Sequence, residues 1–263
     1  MLIGSLNNPR NNVLTEAKWV LKNFDFLDLT LEMPKSHPGA IKIKPLKVII
    51  DKSEKPVVGH TAWYLPIGSP FKEFRVYALS ELEKCASVLE KLGASKMNVH
   101  FDSSVSILKD KYIIEFNIWT LKKLVSIGKK YSMEIMAENT PGLFSNPVVL
   151  QHVFRKVPGL LLHLDIAHAN IATSHGTKRH SEANQTPDIL KKLSNKMAHI
   201  HVSGNHGKHD EHLPIGKGNI NWNAMLGAVK RVGYDSTISL EVFTSPKDRL
   251  ADIPKLRKIW DNS

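Results

Sequence analysis

Apolar positions along this chain follow two alternating rhythms. Short apolar or alternating runs read as strands, and stretches with apolar residues three or four apart read as helices. Met1–Leu6 predicts a first strand and Leu14–Leu21 a helix. Phe26–Leu31 alternates and predicts a second strand, followed by loop at Pro34 and Pro38. Lys47–Ile50 is apolar but fits no element. Pro56–Gly59 predicts a strand ending at His60, and the aromatic, proline-bearing stretch after it shows no helix signal. Ser80 and Glu83 match a capping box, with Leu79, Leu82, Ala86, Leu89 and Leu92 on one helical face and Gly93 as the stop. Lys96–Val99 predicts a strand ending at His100. Ile114, Ile118, Leu121 and Val125 recur at helical spacing, with Gly128 near the end. Further strands are predicted at Met133–Ala137, Leu160–Leu164, Met197–Val202 and Thr237–Leu240, with helices over Asn146–Phe154, Ile189–Leu193, Ala224–Val232 and Lys247–Trp260. The stretch His175–Asn184 is polar and predicts loop.

Strands alternating with helices imply right-handed βαβ units and a parallel sheet. About eight such units in 263 residues predict a closed (β/α)8 TIM barrel, one domain spanning residues 1–263, rather than an open doubly wound sheet. In that fold the chemistry sits at the C-terminal strand ends. His60, His100, Glu138, Asp165, His201 and Glu241 stand at those ends. No glycine fingerprint for a dinucleotide or a P-loop is present.

The stretch His199–Trp222, HIHVSGNHGKHDEHLPIGKGNINW, adds Asp210 and His212 on a glycine-rich loop, and His168 lies three residues beyond Asp165. Imidazoles and carboxylates so placed suit zinc or manganese. Five imidazoles (His60, His100, His168, His201, His212) and four carboxylates (Glu138, Asp165, Asp210, Glu241) exceed the roughly four donors one zinc ion takes. The surplus points to two or three ions. His163 and His199 alternate with Asp165 and His201, share their faces, and read as residues deeper in the barrel that either pack or support the ligands above them. His37, His152, His175 and His180 read as surface residues, while His206 and His209 carry no assignment.

The net charge of +11 attracts polyanions, nucleic acid or phosphorylated metabolites, although lysines spread along the whole chain also suit solvated helix faces. The single cysteine, Cys85, excludes an internal disulfide, fits a reducing, cytoplasmic compartment, and reads as a packing residue. No apolar run is long enough for a membrane span, and the first residues lack a signal-peptide pattern.

The motifs GHTAWYLPIGSP, LGASKMNVHFD, EIMAENTPG, LLHLDIAHA, HIHVSG, HDEHLPIGKGNI and ISLEVF together resemble the xylose-isomerase-like TIM barrel superfamily over about Val57–Phe243. That superfamily includes endonuclease IV (AP endonuclease family 2) and sugar isomerases and epimerases. All nine ligand positions of an endonuclease IV-type zinc cluster look filled. The resemblance implies His60 and His100 on one zinc, bridged by Glu138 to a second completed by Asp165, His201 and Glu241, with His168, Asp210 and His212 on a third. In the sugar isomerases a single metal, manganese or magnesium, sits on the equivalents of Glu138, Asp165, His201 and Glu241, and the two glutamates move the proton.

Two functions follow. One is a zinc phosphodiesterase acting in DNA repair at abasic sites, with Glu138 orienting hydroxide and Trp63 or Tyr64 filling the gap in the base stack. Its phosphate contacts would come from Lys35, Lys72, Arg75, Lys178, Arg179, Lys208 and Lys217. The other is a sugar or sugar-phosphate isomerase or epimerase with Glu138 and Glu241 as acid and base. Ligand count and charge favour the hydrolase. Against it, IGSLNNP lacks the histidine-bearing start of endonuclease IV, and FDFLDLTLEMPKSHPG resembles the isomerase-like members rather than an arginine-bearing DNA-contact loop.

Overall fold

The computed structural model describes residues 1–171 and 184–263. Among them strand and helix alternate: β1 (Leu2–Leu6), α1 (Val13–Asn23), β2 (Phe26–Leu31), α2 (Ile43–Ser53), β3 (Val57–Thr61), α3 (Lys72–Leu92), β4 (Lys96–His100), α4 (Asp110–Lys130), β5 (Glu134–Glu138), α5 (Pro147–Lys156), β6 (Leu161–Asp165), α6 (Thr186–Leu193), β7 (Met197–Val202), α7 (Trp222–Arg231), β8 (Thr237–Leu240) and α8 (Pro246–Asp261). The strands close in sequence order into a barrel, with parallel pairing, so the fold is the predicted (β/α)8 TIM barrel. No helix among the described residues is long and apolar enough to cross a membrane.

Burial explains the strand composition. β2 is buried at all six positions, because a barrel strand faces the interior on one side and the helices on the other. Helix contact depends on close approach at Gly59 in β3. A Cβ there would lie 2.2 Å from Leu89 Cδ1 of α3, so glycine lets the helix settle on the strand. Local signals set the helix ends. The Asn12 side chain accepts from the Leu14 and Thr15 N–H groups at the start of α1, Ser245 caps α8, and Gly93 ends α3 in the left-handed region. Cys85 is buried in α3, where loss of hydration pushes its thiol up to about 12, as suits a packing residue.

Two local expectations need correction. The unplaced stretch Lys47–Ile50 belongs to α2, whose buried side is Leu46 and Ile50, four residues apart; Pro45 falls in its first turn, where the ring is tolerated. The capping box at Ser80 and Glu83 does not form. α3 starts at Lys72, the Ser80 hydroxyl donates to the Tyr77 carbonyl inside the helix, and Glu83 accepts from Lys130 and Tyr131. Exposed Phe71, Phe74 and Tyr77 hide the first turns of α3 by breaking the expected polar pattern of its outer side. Gly128 does lie near the end of α4, which closes at Lys130. It is buried within the helix, where a Cβ would meet Ile135 of β5 at 2.8 Å.

The chain divides into two compact units. One comprises Met1–Ile3, Asn139–His152 and Leu162–Ser263; the other comprises Gly4–Glu138 and Val153–Leu161.

Candidate metal centre

In the unit containing β2 to β5, three ligand-type side chains gather at strand ends. His60 lies one residue before the end of β3, His100 ends β4 and Glu138 ends β5. His100 and Glu138 are direct register partners across the parallel pair. All three are buried, and their donor atoms lie within 4.8 Å of one another. Glu138 Oε2 stands 3.0 Å from His100 Nε2 and 3.8 Å from His60 Nε2. The Asn98 side-chain amide donates to the same oxygen at 2.8 Å, while its carbonyl accepts from the Thr61 N–H at 2.6 Å. Asn98 therefore ties the orientation of Glu138 to the backbone of β3.

In the other unit, Asp165 ends β6 and is the register partner of His201 in β7, and Glu241 directly follows β8. One donor atom from each of the three lies within 4.8 Å of the others. His201 Nδ1 and Glu241 Oε2 are 3.1 Å apart. Asn139 holds Asp165 from both sides of its backbone, accepting from the Asp165 N–H at 2.8 Å and donating to its carbonyl at 2.9 Å. His163 and His199 form the register pair two residues earlier on the same face, fully buried, with the His163 ring 4.0 Å from the His201 ring. His199 Nδ1 lies 2.8 Å from the Thr237 hydroxyl. Both sit one layer below the Asp165–His201 pair and pack beneath it.

A third group in this unit is carried by loops. His168 and His212 each direct Nε2 at Asp210 Oδ2, at 3.1 and 3.0 Å. Each ring is pinned at Nδ1 by a carbonyl acceptor, Asn139 O at 2.8 Å for His168 and Glu241 O at 3.1 Å for His212. A carbonyl on Nδ1 fixes the tautomer that leaves Nε2 to bind a metal. Burial works to raise the Asp210 carboxyl, but the hydrogen bonds and charges of His168 and His212 outweigh it and hold it well below the usual range. For His212, burial disfavours the charged ring, yet Glu241, Asp210 and Asp165 push it up to about 9.

The loop itself is held by asparagines. Asn170 donates to the side chains of Asn205 and Asn219, both at 2.8 Å, and buried Asn205 donates to the Ala167 carbonyl at 2.8 Å. Gly218 has φ +86°, and a Cβ there would meet the Asn205 carbonyl oxygen at 2.1 Å, so this crossing requires glycine. His212 sits at φ +48°, a conformation that costs a non-glycine residue free energy.

The donor chemistry fits a divalent cation. Asp165 and Glu241 are almost fully buried, 0% and 6% exposed, with carboxylate oxygens no more than 4.8 Å apart. Two negative charges at that distance repel by about 3 kcal/mol even at an effective dielectric of about 20, and burial adds a desolvation cost to each. A cation between them removes that repulsion, and imidazole nitrogen with carboxylate oxygen suits zinc or manganese.

The remaining predicted residues are placed differently. Trp63 and Tyr64 are exposed on the loop after β3, their rings edge to face at 5.6 Å, and the Tyr64 hydroxyl accepts from the Met33 N–H at 3.2 Å. Lys35, Lys72, Lys208 and Lys217 are exposed. Arg75 is not a phosphate contact. It is buried in α3, donates to the Ser69 and Pro70 carbonyls, and stacks on Phe116 and Trp119. Lys178, Arg179, His175 and His180 lie outside the described residues. His37 and His152 are half-buried rather than fully at the surface. His206 is exposed and pairs with Glu211 at 3.0 Å, and His209 is exposed. The sequence reading missed Asn98, Asn139 and Asn205. For Asn98 a signal existed, since it precedes His100 by the two-residue step that separates His163 from Asp165 and His199 from His201.

Comparison with known proteins agrees with this architecture. The uncharacterized protein MJ1311 of Methanocaldococcus jannaschii is 28% identical over 253 residues, covering 89% of this chain and 80% of that protein. The structure of a D-tagatose 3-epimerase-like protein superposes with a TM-score of 0.83 at 24% identity, covering 100% of this chain and 98% of that one. That of the 3-keto-D-glucoside 4-epimerase YcjR from E. coli gives a TM-score of 0.76 at 15% identity, with 98% and 99% covered. At these identities the likeness to solved structures speaks for the fold. Residues 22–260 match the xylose isomerase-like TIM barrel family, and the chain belongs to that family.

Proposed function

We propose that this protein is a divalent-metal-dependent epimerase or isomerase of keto sugars, working as one barrel domain. The observation that carries the proposal is the buried Asp165–His201–Glu241 cluster, an imidazole and two carboxylates whose mutual repulsion a divalent cation would relieve. In the proposal Glu138 joins these three. It ends β5, and the others lie at the ends of β6, β7 and β8, the next strands in the barrel order. Groups so placed do the chemistry in this fold. The names of the two similar structures, a D-tagatose 3-epimerase-like protein and a 3-keto-D-glucoside 4-epimerase, support a sugar as substrate.

A divalent ion held there supplies a Lewis acid for the substrate's carbonyl and neighbouring hydroxyl. One glutamate, as carboxylate, takes the proton from the carbon beside the carbonyl, and the electron pair moves onto the carbonyl oxygen. The other glutamate, as acid, returns a proton to the opposite side of that carbon, which inverts it. Delivery to the adjacent carbon gives isomerisation instead. Asn98 and His100 fix Glu138 Oε2, and His201 fixes Glu241 Oε2, so both carboxylates are oriented before substrate enters. The test is proton–deuterium exchange by NMR with metal-loaded protein in D2O. Deuterium is expected at the carbon beside the carbonyl for at least one member of a panel of ketoses, ketose phosphates and keto glycosides. Failure across the panel removes the proposal.

A second reading, the multinuclear zinc phosphodiesterase, is favoured by the His168–Asp210–His212 arrangement, which one ion on the strand ends does not require. Cleavage of an abasic-site oligonucleotide by zinc-loaded protein tests it. The sugar reading stands first because similar structures carry sugar-epimerase names and Arg75, a proposed phosphate contact, is buried.

A further inference from the structure

Five aromatic side chains crowd the surface just beyond β3. Trp63, Tyr64, Phe71, Phe74 and Tyr77 are each between 47% and 67% exposed, which is unusual for residues of this size within one short segment. Four of them form two ordered ring pairs. Trp63 meets Tyr64 edge to face at 5.6 Å and 82°, and Phe71 meets Phe74 at 5.6 Å and 61°. The Tyr64 hydroxyl is anchored by the Met33 N–H. Glu32, the residue after β2, is close enough for its charge to raise the Tyr64 phenol, after the larger effect of burial. The platform begins three residues after His60, so at most about 10 Å of extended chain separates it from a buried strand-end ligand.

We infer that these aromatics and Glu32 form a subsite for a second sugar ring, so that the substrate is a glycoside or disaccharide rather than a free monosaccharide. The inference rests on the keto-sugar proposal and narrows it. A sugar ring has an apolar C–H face and a rim of hydroxyls. Exposed aromatic rings take the first, and a carboxylate accepts hydrogen bonds from the second. His60, His100 and Glu138 are buried while Trp63 is exposed, and a ring at the strand ends joined to a second ring on the platform would use both levels. Preset rings cost little side-chain entropy to use, unlike a platform of long flexible chains.

The test is calorimetric titration of metal-loaded protein with cellobiose, maltose, trehalose and sucrose, each against methyl β-D-glucoside. At least one disaccharide is expected to bind about fivefold or more tighter than the methyl glycoside. Trp63→Ala should remove most of that preference, Trp63→Phe should keep it, and Val76→Ala, about 100° away from Tyr77 around α3, should leave it in place. Absence of any preference, or a preference that survives Trp63→Ala, overturns the inference. So does a dimer by sedimentation that Trp63→Ala dissociates, because the platform would then be an interface between copies. Solvent exchange on free ketoses is read separately. Exchange without disaccharide preference sinks the subsite alone, and preference without exchange on any sugar sinks the epimerase proposal alone.

Discussion

The candidate ligands rest on two kinds of support. Asp165 and His201 are fixed by strand register, and Glu241 follows β8 directly. Asp210 and His212 hang on a loop between β7 and α7, held by an asparagine clasp, a glycine at φ +86° and a histidine at φ +48°. Strand ladders place side chains by many cooperative backbone bonds, whereas the loop depends on a few specific residues. The first group is therefore expected to keep its geometry under most substitutions. The second is expected to be the adjustable part, where additional metal or substrate selectivity is set.

The largest effect that sharpens this contrast is on turnover. Glu138→Gln should slow solvent exchange on the best sugar by about 10²- to 10⁴-fold, the usual contribution of a general acid or base. Asp210→Asn should slow it less than about tenfold, since the proposal needs only the strand-end group. Equal losses for both, measured on the same sugar, would break the contrast and favour a cluster that works as a unit. Next in size is metal removal. Chelation should lower unfolding stability by about 2.7 kcal/mol relative to protein held at a hundredfold excess over its metal dissociation constant, read by urea denaturation. A smaller loss, about 1–3 kcal/mol, is expected for Gly218→Ala, which forces an unfavourable φ and a clash with the Asn205 carbonyl. NMR shifts should then move around His168 and His212 but not at His163 and His199.

The smallest effect is a pH dependence of the metal-free protein. His212 is raised in the folded state to about 9, above the roughly 6.5 of an unfolded histidine. Its protonated form is favoured by folding, so its stabilisation is full below about pH 6.5 and is lost as pH rises towards 9. Asp210 has the opposite sign. Its lowered value gives stability that is present above the ordinary carboxylate range and lost on acidification. Asp210→Asn should flatten the alkaline limb in urea titrations between pH 6.5 and 9. An unchanged limb would mean that the pair does not titrate as described.

Much of the barrel was legible because strand periodicity and ligand placement reinforce each other. Six of the predicted strands end at a histidine or carboxylate that is costly to bury without a purpose, and those residues lie at or next to the ends of β3 to β8. α2 was not legible, because its buried side is only Leu46 and Ile50, while Val48 is exposed and Ile49 half-buried. The start of α3 was hidden by exposed aromatics, and Arg75, read as a surface cation, is buried against two rings. Asn139 and Asn205 escaped because an asparagine just past a strand or in a loop carries no periodic signal, whereas Asn98 shares the strand face of His100 and was readable from that step. Their importance appears only when Asn98 is seen on Glu138 and Asn139 on Asp165.

The most direct measurement of the central claim is anomalous X-ray scattering from crystals of the metal-loaded protein. A strong manganese or zinc peak bounded by Glu138, Asp165, His201 and Glu241 is expected. Crystals loaded to full stoichiometry with no peak among those side chains, or with peaks only at surface histidines such as His206 and His209, would contradict it.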